Sequence, residues 1–207
     1  MDQKRINLIE ELIDTLEKYK LLFKETEEEY VKASDLKPGD KIIFHDMVST
    51  VLDNAYQGGV FCLADGFIGE CCFHDEDGEG MNNWAKSSLR AYLNENYYDC
   101  LSDIEKESLS FFDRDLTSED GLTDYGTCED VISLISCNEY RKYRKYIDKK
   151  DDWWWTLTAT STPSSSFSGY ARCVYSDGSL GNNGAYNGLY GVSPAYVLLS
   201  SSKVRRA

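Results

Sequence analysis

The stretch YSDGSLGNNGAYNGLYGVSPAYVLL, residues 175–199, consists of two parts with different amino-acid compositions. Its last eight residues, 192–199, are apolar or aromatic except for Ser193 and a proline near the start, which predicts a buried strand. Its first part consists mostly of Ser, Gly, Asn and Tyr and carries one charge, Asp177. The stretch therefore predicts a core strand that directly follows an uncharged, tyrosine-bearing surface.

The same composition extends upstream of this stretch. Between Trp153 and Gly191 the only formal charges are Arg172 and Asp177, and about two-thirds of residues 161–191 are Ser, Gly, Asn or Tyr. Tyrosine offers a large contact area at little cost in side-chain entropy, and the small polar residues adapt their hydrogen bonds, so binding loops favour this composition. Flexible linkers and ordinary long loops are the alternatives, but a linker rarely contains many tyrosines or leads into a core strand. We therefore expect a recognition surface.

The overall composition restricts the partners of the chain. It has 207 residues, 42% of them hydrophobic, and a formal net charge of −14. Such an acidic chain is a poor match for the phosphate backbone of nucleic acid or for an anionic membrane surface. No apolar run has the length of a signal peptide core or a membrane span. We expect a soluble protein without membrane insertion, made in a reducing cytosol, and both a virion-associated and a cytoplasmic destination stay open.

No motif in the sequence indicates catalysis, a metal site or a cofactor. The chain has two histidines and none of the zinc, serine-nucleophile or phosphate-loop patterns. In the acidic segment 73–80, Asp75, Asp77 and Gly78 resemble part of a calcium loop, but Lys86 stands where the bidentate Glu belongs. The seven cysteines form no CxxC pair, which favours buried free thiols over disulfides. We expect no catalytic residue, no metal site and no cofactor.

Residues 1–30 are predicted to contain an amphipathic helix, from Arg5 to about Glu29. Its apolar residues follow alternating steps of three and four, with Lys20 at one position of the stripe. One interpretation is a helix that packs on its own domain. The other is a short coiled coil that makes the protein a homo-oligomer.

The remaining residues, 37–207, are predicted to form one domain of the α+β class. The order is a β-meander, two helices, and then β structure with long excursions. The predicted strands are Lys41–Phe44, Val48–Leu52, Val60–Ala64, Val131–Ser136, Trp153–Ala159, Ala171–Tyr175 and Val192–Leu199, and the predicted helices are Asn82–Leu101, Ser102–Ser110 and Glu139–Tyr146.

Several sequence blocks resemble one known family in both order and spacing. The blocks are KPGDKIIF (37–44), WAKSSLRAYLNENYYDCLSDIEKESL (84–109), CEDVISLISCNEYRKY (128–143), the Trp pair at 153–154 or 154–155, ARCVYSDGSLG (171–181) and GVSPAYVLL (191–199). Together, over about residues 37–199, they resemble a C-type-lectin-fold family seen in phage and bacterial genomes, many of whose members are variable proteins of diversity-generating retroelements. Formylglycine-generating-type enzymes share this fold.

The resemblance implies a C-type-lectin-like fold with a variable region at about 153–191. Its framework would be Trp153, Trp154, Asp177, Gly178, Gly191, Val192 and Pro194. In retroelement-linked members, codons of the Asn type are randomised and the encoded side chains contact the ligand. The corresponding positions here are Thr156, Thr158, Ser168, Tyr170, Arg172, Asn182, Asn183, Ala185, Tyr186, Gly188, Leu189 and Tyr190. The triplets used for calcium-dependent sugar binding do not occur.

The leading hypothesis is a non-catalytic protein that binds an unknown protein or cell-surface ligand. Three tyrosines, Tyr170, Tyr186 and Tyr190, would act as anchors. Ser168, Asn182 and Asn183 would supply adaptable hydrogen bonds, and Arg172 the one cationic contact. An enzyme of formylglycine-generating type, dependent on Cys137 or Cys173, is one alternative. A structural domain of a virion or surface assembly, joined through residues 1–30, is the other.

Overall fold

Strands dominate the structure, a computed structural model that describes residues 3–28 and 30–207 and, within residues 3–28, the side chains of Asn7 and residues 9–20. The strands are β1 (Tyr30–Lys32), β2 (Lys41–Phe44), β3 (Met47–Tyr56), β4 (Gly59–Ala64), β5 (Glu70–Cys71), β6 (Leu109–Ser110), β7 (Phe112–Asp115), β8 (Thr127–Asp130), β9 (Ile132–Ser133), β10 (Trp154–Ala159), β11 (Tyr170–Val174), β12 (Leu180–Gly184), β13 (Tyr190–Gly191), β14 (Ala195–Leu199) and β15 (Lys203–Arg206). The α-helices are α1 (Gln3–Glu28), α2 (Ser88–Tyr92), α3 (Tyr98–Cys100), α4 (Asp103–Ser108) and α5 (Cys137–Tyr143). The chain is thus a mixed, sheet-rich α/β protein with an N-terminal helix.

Two sheets and a two-stranded ribbon make up the β structure. The large sheet has the order β1-β15-β2-β3-β4-β14-β6, and β9 also pairs with β14. The small sheet has the order β12-β11-β10-β13-β5, and β7 pairs with β8. Because β1 pairs antiparallel with β15, the first and last strands of the domain lie side by side, and α1 joins the domain at this edge.

Strand β14 is an interior strand of the large sheet. It pairs antiparallel with β4 on one side and with β6 and β9 on the other. The predicted buried strand is confirmed, but it begins at Ala195 and not at Val192. Pro194 has no N–H to donate to a ladder, so the regular pairing starts only after it. The carbonyl of Pro194 still accepts a hydrogen bond from the Ala64 amide at 2.9 Å.

The two neighbouring tryptophans of β10 point into different parts of the core. Consecutive side chains of a strand face opposite sides, so Trp154 and Trp155 are both buried but in separate clusters. Trp155 stacks on Tyr190 with ring centroids 4.2 Å apart, and its indole N–H donates to the Cys71 carbonyl at 2.9 Å. Trp154 packs edge-on against Tyr140 of α5. Strand β10 therefore joins the two halves of the core.

A buried ion pair fastens α5 to the ribbon. The Arg114 guanidinium of β7, 2% exposed, meets the Glu139 carboxylate at 2.6 Å and also donates to the Leu134 carbonyl at 3.0 Å. Tyr56 donates to the same carboxylate. The Glu139 carboxylate accepts in turn from the Ser136 amide, and Ser136 caps the helix in a capping box.

The region predicted as one helix, Asn82–Leu101, is divided. A 3-10 turn at Trp84–Lys86 comes first, and the extended backbone of Ser87 separates it from α2. Asn83 caps the first segment and Ser87 caps the second. A single π turn then connects α2 to α3. The predicted helix Ser102–Ser110 is found as α4, which begins at Asp103 and is capped by Ser102. The predicted strand Val131–Ser136 is wrong beyond the two residues of β9.

Helix α1 confirms the predicted N-terminal helix. The side chains of residues 9–20 are all exposed, so this part of the helix does not pack on its own domain. The interpretation of a helix packed on the domain is therefore wrong for these residues. Within residues 3–28 and 30–207, no helix is both long and apolar enough to cross a membrane.

Candidate ligand-binding surface

The exposed surface of the small sheet is built on strands β11 and β12. Tyr170 lies opposite Gly184 and Arg172 opposite Asn182 in the antiparallel register. Residues that lie opposite each other project from the same face, so Tyr170, Arg172 and Asn182 share one face. Tyr170 and Asn182 are exposed, and Arg172 is half-buried.

Aromatic rings cover much of this face. The Tyr186 ring lies over Gly184, where an added Cβ would come within 2.7 Å of it, and Tyr186 is 57% exposed. Phe167, 59% exposed, meets Tyr170 edge-on with centroids 6.2 Å apart. We call this set, Phe167, Tyr170, Arg172, Asn182 and Tyr186, the contact surface. Leu189, also exposed, belongs to the loop 185–189 that follows β12.

Five of the twelve predicted contact positions are buried: Thr156, Thr158, Ser168, Ala185 and Tyr190. Their side chains do not reach a ligand at the surface, and the remaining seven are exposed or half-buried. Thr156 donates to the Arg172 carbonyl at 3.0 Å, and Thr158 accepts from the Cys137 amide at 2.9 Å. Tyr190, predicted as an aromatic anchor, instead stacks on Trp155. These residues support the contact surface from inside.

Most of the framework positions inferred from the resemblance are buried. Trp154, Val192 and Pro194 are buried, whereas Trp153 is partly exposed and packs on Tyr175. Asp177 is exposed and accepts hydrogen bonds from the Ser179 amide and hydroxyl at 2.8 and 2.6 Å. These hydrogen bonds lower the pKa of Asp177 and fix the turn between β11 and β12.

Arg172 is the cation of the contact surface. Its Nε is buried without a hydrogen-bond partner, and within residues 30–207 its guanidinium makes no ion pair. A buried donor without a partner costs free energy. In a chain of net charge −14, such a free guanidinium is suited to a carboxylate or carbonyl of a ligand.

A buried amide holds the Ser-rich loop that precedes β11. Asn82 is fully buried, and its Nδ2 donates to the carbonyls of Ser161 and Tyr170 at 2.9 and 2.8 Å. Its Oδ1 accepts from the Tyr125 hydroxyl at 2.6 Å. Asn83 caps the 3-10 turn at Trp84–Lys86, whereas Asn82 supports the loop.

Two aspartates of the loop 116–126 bind the hydroxyls of the same Ser-rich loop. Asp120 accepts from Ser161 at 2.6 Å, and Asp124 accepts from Ser164 at 2.6 Å and from Thr162. Hydrogen bonds from Ser164 and Thr162 lower the pKa of Asp124. The Ser-rich loop is therefore held by residues far away in the sequence. The composition of the loop itself does not predict that these distant residues hold it in place.

The acidic segment 73–80 borders the contact surface. A cavity of about 390 Å³ separates it from the Ser-rich loop and is lined by Asp77, Glu79 and Tyr170 among others. The Gly80 amide donates to the Ser168 carbonyl at 3.0 Å, which joins the two segments. Among residues 30–207 and the described side chains of α1, no three His, Cys, Asp or Glu residues come together in a geometry for a metal ion.

The cysteines are all free thiols, as predicted, although only Cys62, Cys137 and Cys173 are buried. Burial raises the pKa of the Cys173 thiol to about 12 and also raises that of Cys137. Both therefore stay protonated at neutral pH, and a thiol is a weak nucleophile compared with its thiolate.

Sequence comparison places the contact surface inside a recognised family. No curated protein and no solved structure matches the chain. A family described as Domain of unknown function (DUF6273) matches residues 57–200, more than half of the chain. The match runs from the end of β3 to the end of β14 and contains the whole small sheet. The chain therefore belongs to the family described as Domain of unknown function (DUF6273).

Proposed function

We propose that this protein is a non-catalytic ligand-binding protein whose contact surface varies between related copies. The observation that carries this proposal is the separation of two sets of residues in the small sheet. The outward residues are aromatic, amide or small, and they carry almost no charge, whereas the residues beneath them are buried and packed. Side chains at such outward positions can change without loss of core packing.

The C-type-lectin-like fold and the retroelement origin are part of this proposal. The segments that the resemblance identifies as framework, around Trp154 and from Val192 to Pro194, are buried. The chain between them combines buried residues with the exposed side chains of the contact surface. This arrangement supports a display scaffold of that family, in which a fixed interior carries replaceable contact residues.

The contact surface is suited to a ligand that has both apolar and polar groups. Phe167, Tyr170 and Tyr186 offer exposed rings, which provide much of the binding free energy in protein interfaces. Asn182 adds both a donor and an acceptor. Arg172 favours a carboxylate or carbonyl at the centre of the ligand. A protein loop or another cell-surface group with an acidic or carbonyl-bearing side and an apolar side fits this surface.

The raised thiol pKa values of Cys137 and Cys173 support a role without catalysis. An enzyme of the formylglycine-generating type would need an accessible, reactive thiol. Substitution of either cysteine by serine is therefore expected to leave ligand binding unchanged, since neither side chain lies on the contact surface.

Comparison of sibling gene copies tests the proposed variability. Amino-acid differences are expected at six accessible positions, Tyr170, Arg172, Asn182, Tyr186, Gly188 and Leu189, and not at Asn183, which donates to the buried Tyr190 hydroxyl. The five buried positions of the same segment serve as the matched control and should differ less. A neighbouring reverse transcriptase gene with a near-identical template repeat would support the retroelement origin. Differences spread evenly along the gene would contradict the proposal.

A further inference from the structure

Strand β12 lies at one end of the small sheet and has a free edge. Strands in such places expose unpaired backbone groups, and proteins usually protect them with charged side chains, proline, bulges or a very short length. Among the end strands within residues 30–207, β12 is the longest, and its register with β11 is continuous over five residue pairs. Its sequence, LGNNG, contains neither a charge nor a proline. Strand β12 therefore lacks the features that usually prevent another strand from pairing with such an edge.

Two hydrogen bonds at the ends of the β11–β12 ladder show which backbone groups face this edge. The Tyr175 amide donates to the Ser179 carbonyl at 2.8 Å, and the Ala185 amide donates to the Gly169 carbonyl at 2.9 Å. The backbone groups of an antiparallel strand point alternately toward one neighbour and away from it. The odd-numbered residues of 179–185 therefore face β11. The backbone groups that point away from β11 belong to Leu180, Asn182 and Gly184.

Gly184 uses its outward backbone groups within the chain, whereas Leu180 and Asn182 do not. The Gly184 amide donates to the Asn183 Oδ1 at 2.8 Å, and its carbonyl accepts from the Asn187 amide at 3.0 Å. Within residues 30–207, the outward N–H and C=O groups of Leu180 and Asn182 have no hydrogen-bond partner. Asn182 is exposed and Leu180 is half-buried. Because alternate residues of a strand lie about 6.8 Å apart, this edge presents two donor–acceptor pairs at the interval at which an extended peptide repeats its own.

We propose that β12 binds an extended peptide segment of another protein, which adds as a strand next to Leu180 and Asn182. Each of these two residues exchanges one N–H and one C=O hydrogen bond with the added strand. Asn182 also belongs to the contact surface, so alternate side chains of the added strand lie beside the exposed rings of that surface. This inference rests on the proposed ligand-binding function and names the class of ligand.

Recognition through the backbone is compatible with a contact surface that varies between copies. The N–H and C=O groups at position 182 are the same for every side chain except that of proline, which has no N–H. Substitutions at the exposed positions therefore change which side chains of the peptide fit. The hydrogen bonds to the peptide backbone stay the same.

A synthetic peptide with the sequence of residues 169–175, GYARCVY, tests the pairing under reducing conditions, since this sequence already pairs with β12 as strand β11. Two further versions carry N-methyl groups on alternate amides, at positions 170, 172 and 174 or at positions 171, 173 and 175. Each version loses the donors of one edge only. In calorimetric titrations, the unmethylated peptide and one methylated version are expected to bind, and the other version to bind about tenfold more weakly or less. Amide exchange at Leu180 and Asn182 should become slower in the complex.

Asn182→Pro tests the same edge from the side of the protein. It removes the outward N–H but no hydrogen bond to β11, and it is expected to raise the dissociation constant of the peptide about tenfold or more. Asn182→Ala keeps the N–H and is the matched control, with an expected change of less than about threefold. Urea unfolding shows whether both variants are folded.

Three results would overturn strand addition: no binding of the unmethylated peptide, equal binding of the two methylated versions, or equal losses in Asn182→Pro and Asn182→Ala. Failure of strand addition can be distinguished from failure of the proposed function. Equal binding of the methylated versions together with weaker binding to Tyr186→Ala would overturn strand addition but keep a ligand-binding contact surface.

Discussion

The large and the small sheet are both built mainly of antiparallel strands, but different residues hold them in place. In the large sheet, β4 is buried at all six residues and pairs with the apolar strand β14. In the small sheet, β12 has the sequence LGNNG and pairs with β11 over five residues. Strand β4 is stabilised by burial of its own side chains. Strand β12 has little apolar surface to bury.

Neighbouring side chains supply the packing contacts that the residues of β12 do not make by their own burial. The Tyr175 ring lies so close to Gly181 that an added Cβ would come within 2.1 Å of it. Asn183 donates to the hydroxyl of the buried Tyr190. A strand held in this way can carry different outward side chains, because its position depends on the residues around it. The difference between the sheets separates residues that maintain the fold from residues that are free to contact a ligand.

The largest expected effect on stability comes from the buried ion pair that fastens α5 to the ribbon. Glu139→Ala removes the partner of the buried Arg114 guanidinium and is expected to lower the free energy of unfolding by about 3–5 kcal/mol, the usual cost of an uncompensated buried charge. Urea unfolding measures it. Glu107→Ala, an exposed glutamate of α4, is the matched control and should change stability by less than about 0.5 kcal/mol. Equal effects of the two substitutions would contradict a supporting role for the ion pair.

The same pair predicts an acid-dependent loss of stability. Burial acts to raise the pKa of Glu139, but the charge and hydrogen bonds of Arg114 outweigh it and hold the pKa below its ordinary value of 4.5. A depressed pKa stabilises the fold above the unfolded-state pKa, and this contribution is lost as the pH falls through the folded-state pKa. The stability difference between the wild type and Glu139→Gln should therefore narrow below about pH 4.5. A constant difference down to pH 3 would oppose this account.

Apolar runs allowed part of the fold to be predicted from the sequence. Strands β2 and β4 and the core of β14 were located because their residues are mostly apolar and become buried. Eight strands were not predicted: β1, β5, β6, β7, β8, β12, β13 and β15. Strands β5, β12 and β13 show why. They have two to five residues and little β-propensity, and they are paired only because their neighbours hold them.

The candidate site could be predicted only in part for a related reason. Composition located the segment, but it does not tell an outward from an inward residue. Thr156 and Thr158 lie on a strand whose residues are buried on both faces, so alternation gives no sign of exposure there. Asn82 was missed as a loop support because its partners lie between 43 and 88 residues away in the sequence. Such contacts depend on the completed fold.

The next largest effect on stability distinguishes the role of Asn82, which supports the loop, from that of Asn83, which caps a helical turn. Asn82→Ala removes the buried amide that donates to the Ser161 carbonyl and is one of two donors to the Tyr170 carbonyl, and it is expected to cost about 1–3 kcal/mol. Amide hydrogen exchange in residues 160–169 should become faster, since the loop loses its anchor. Asn83→Ala removes only a cap, at about 1 kcal/mol, and should leave exchange in that loop unchanged. The same exchange pattern in both variants would argue against the role given to Asn82.

The smallest expected effect on stability is at Tyr186, a residue of the contact surface. Tyr186→Ala removes an exposed ring that lies over Gly184, and it is expected to change the free energy of unfolding by no more than about 0.5 kcal/mol. Tyr190→Ala is the matched control only four residues away. It removes a buried ring stacked on Trp155 and should cost about 3–5 kcal/mol. Thermal or urea unfolding of the two variants compares them directly. A large loss in Tyr186→Ala would mean that this tyrosine maintains the fold, and it could then not vary freely between copies.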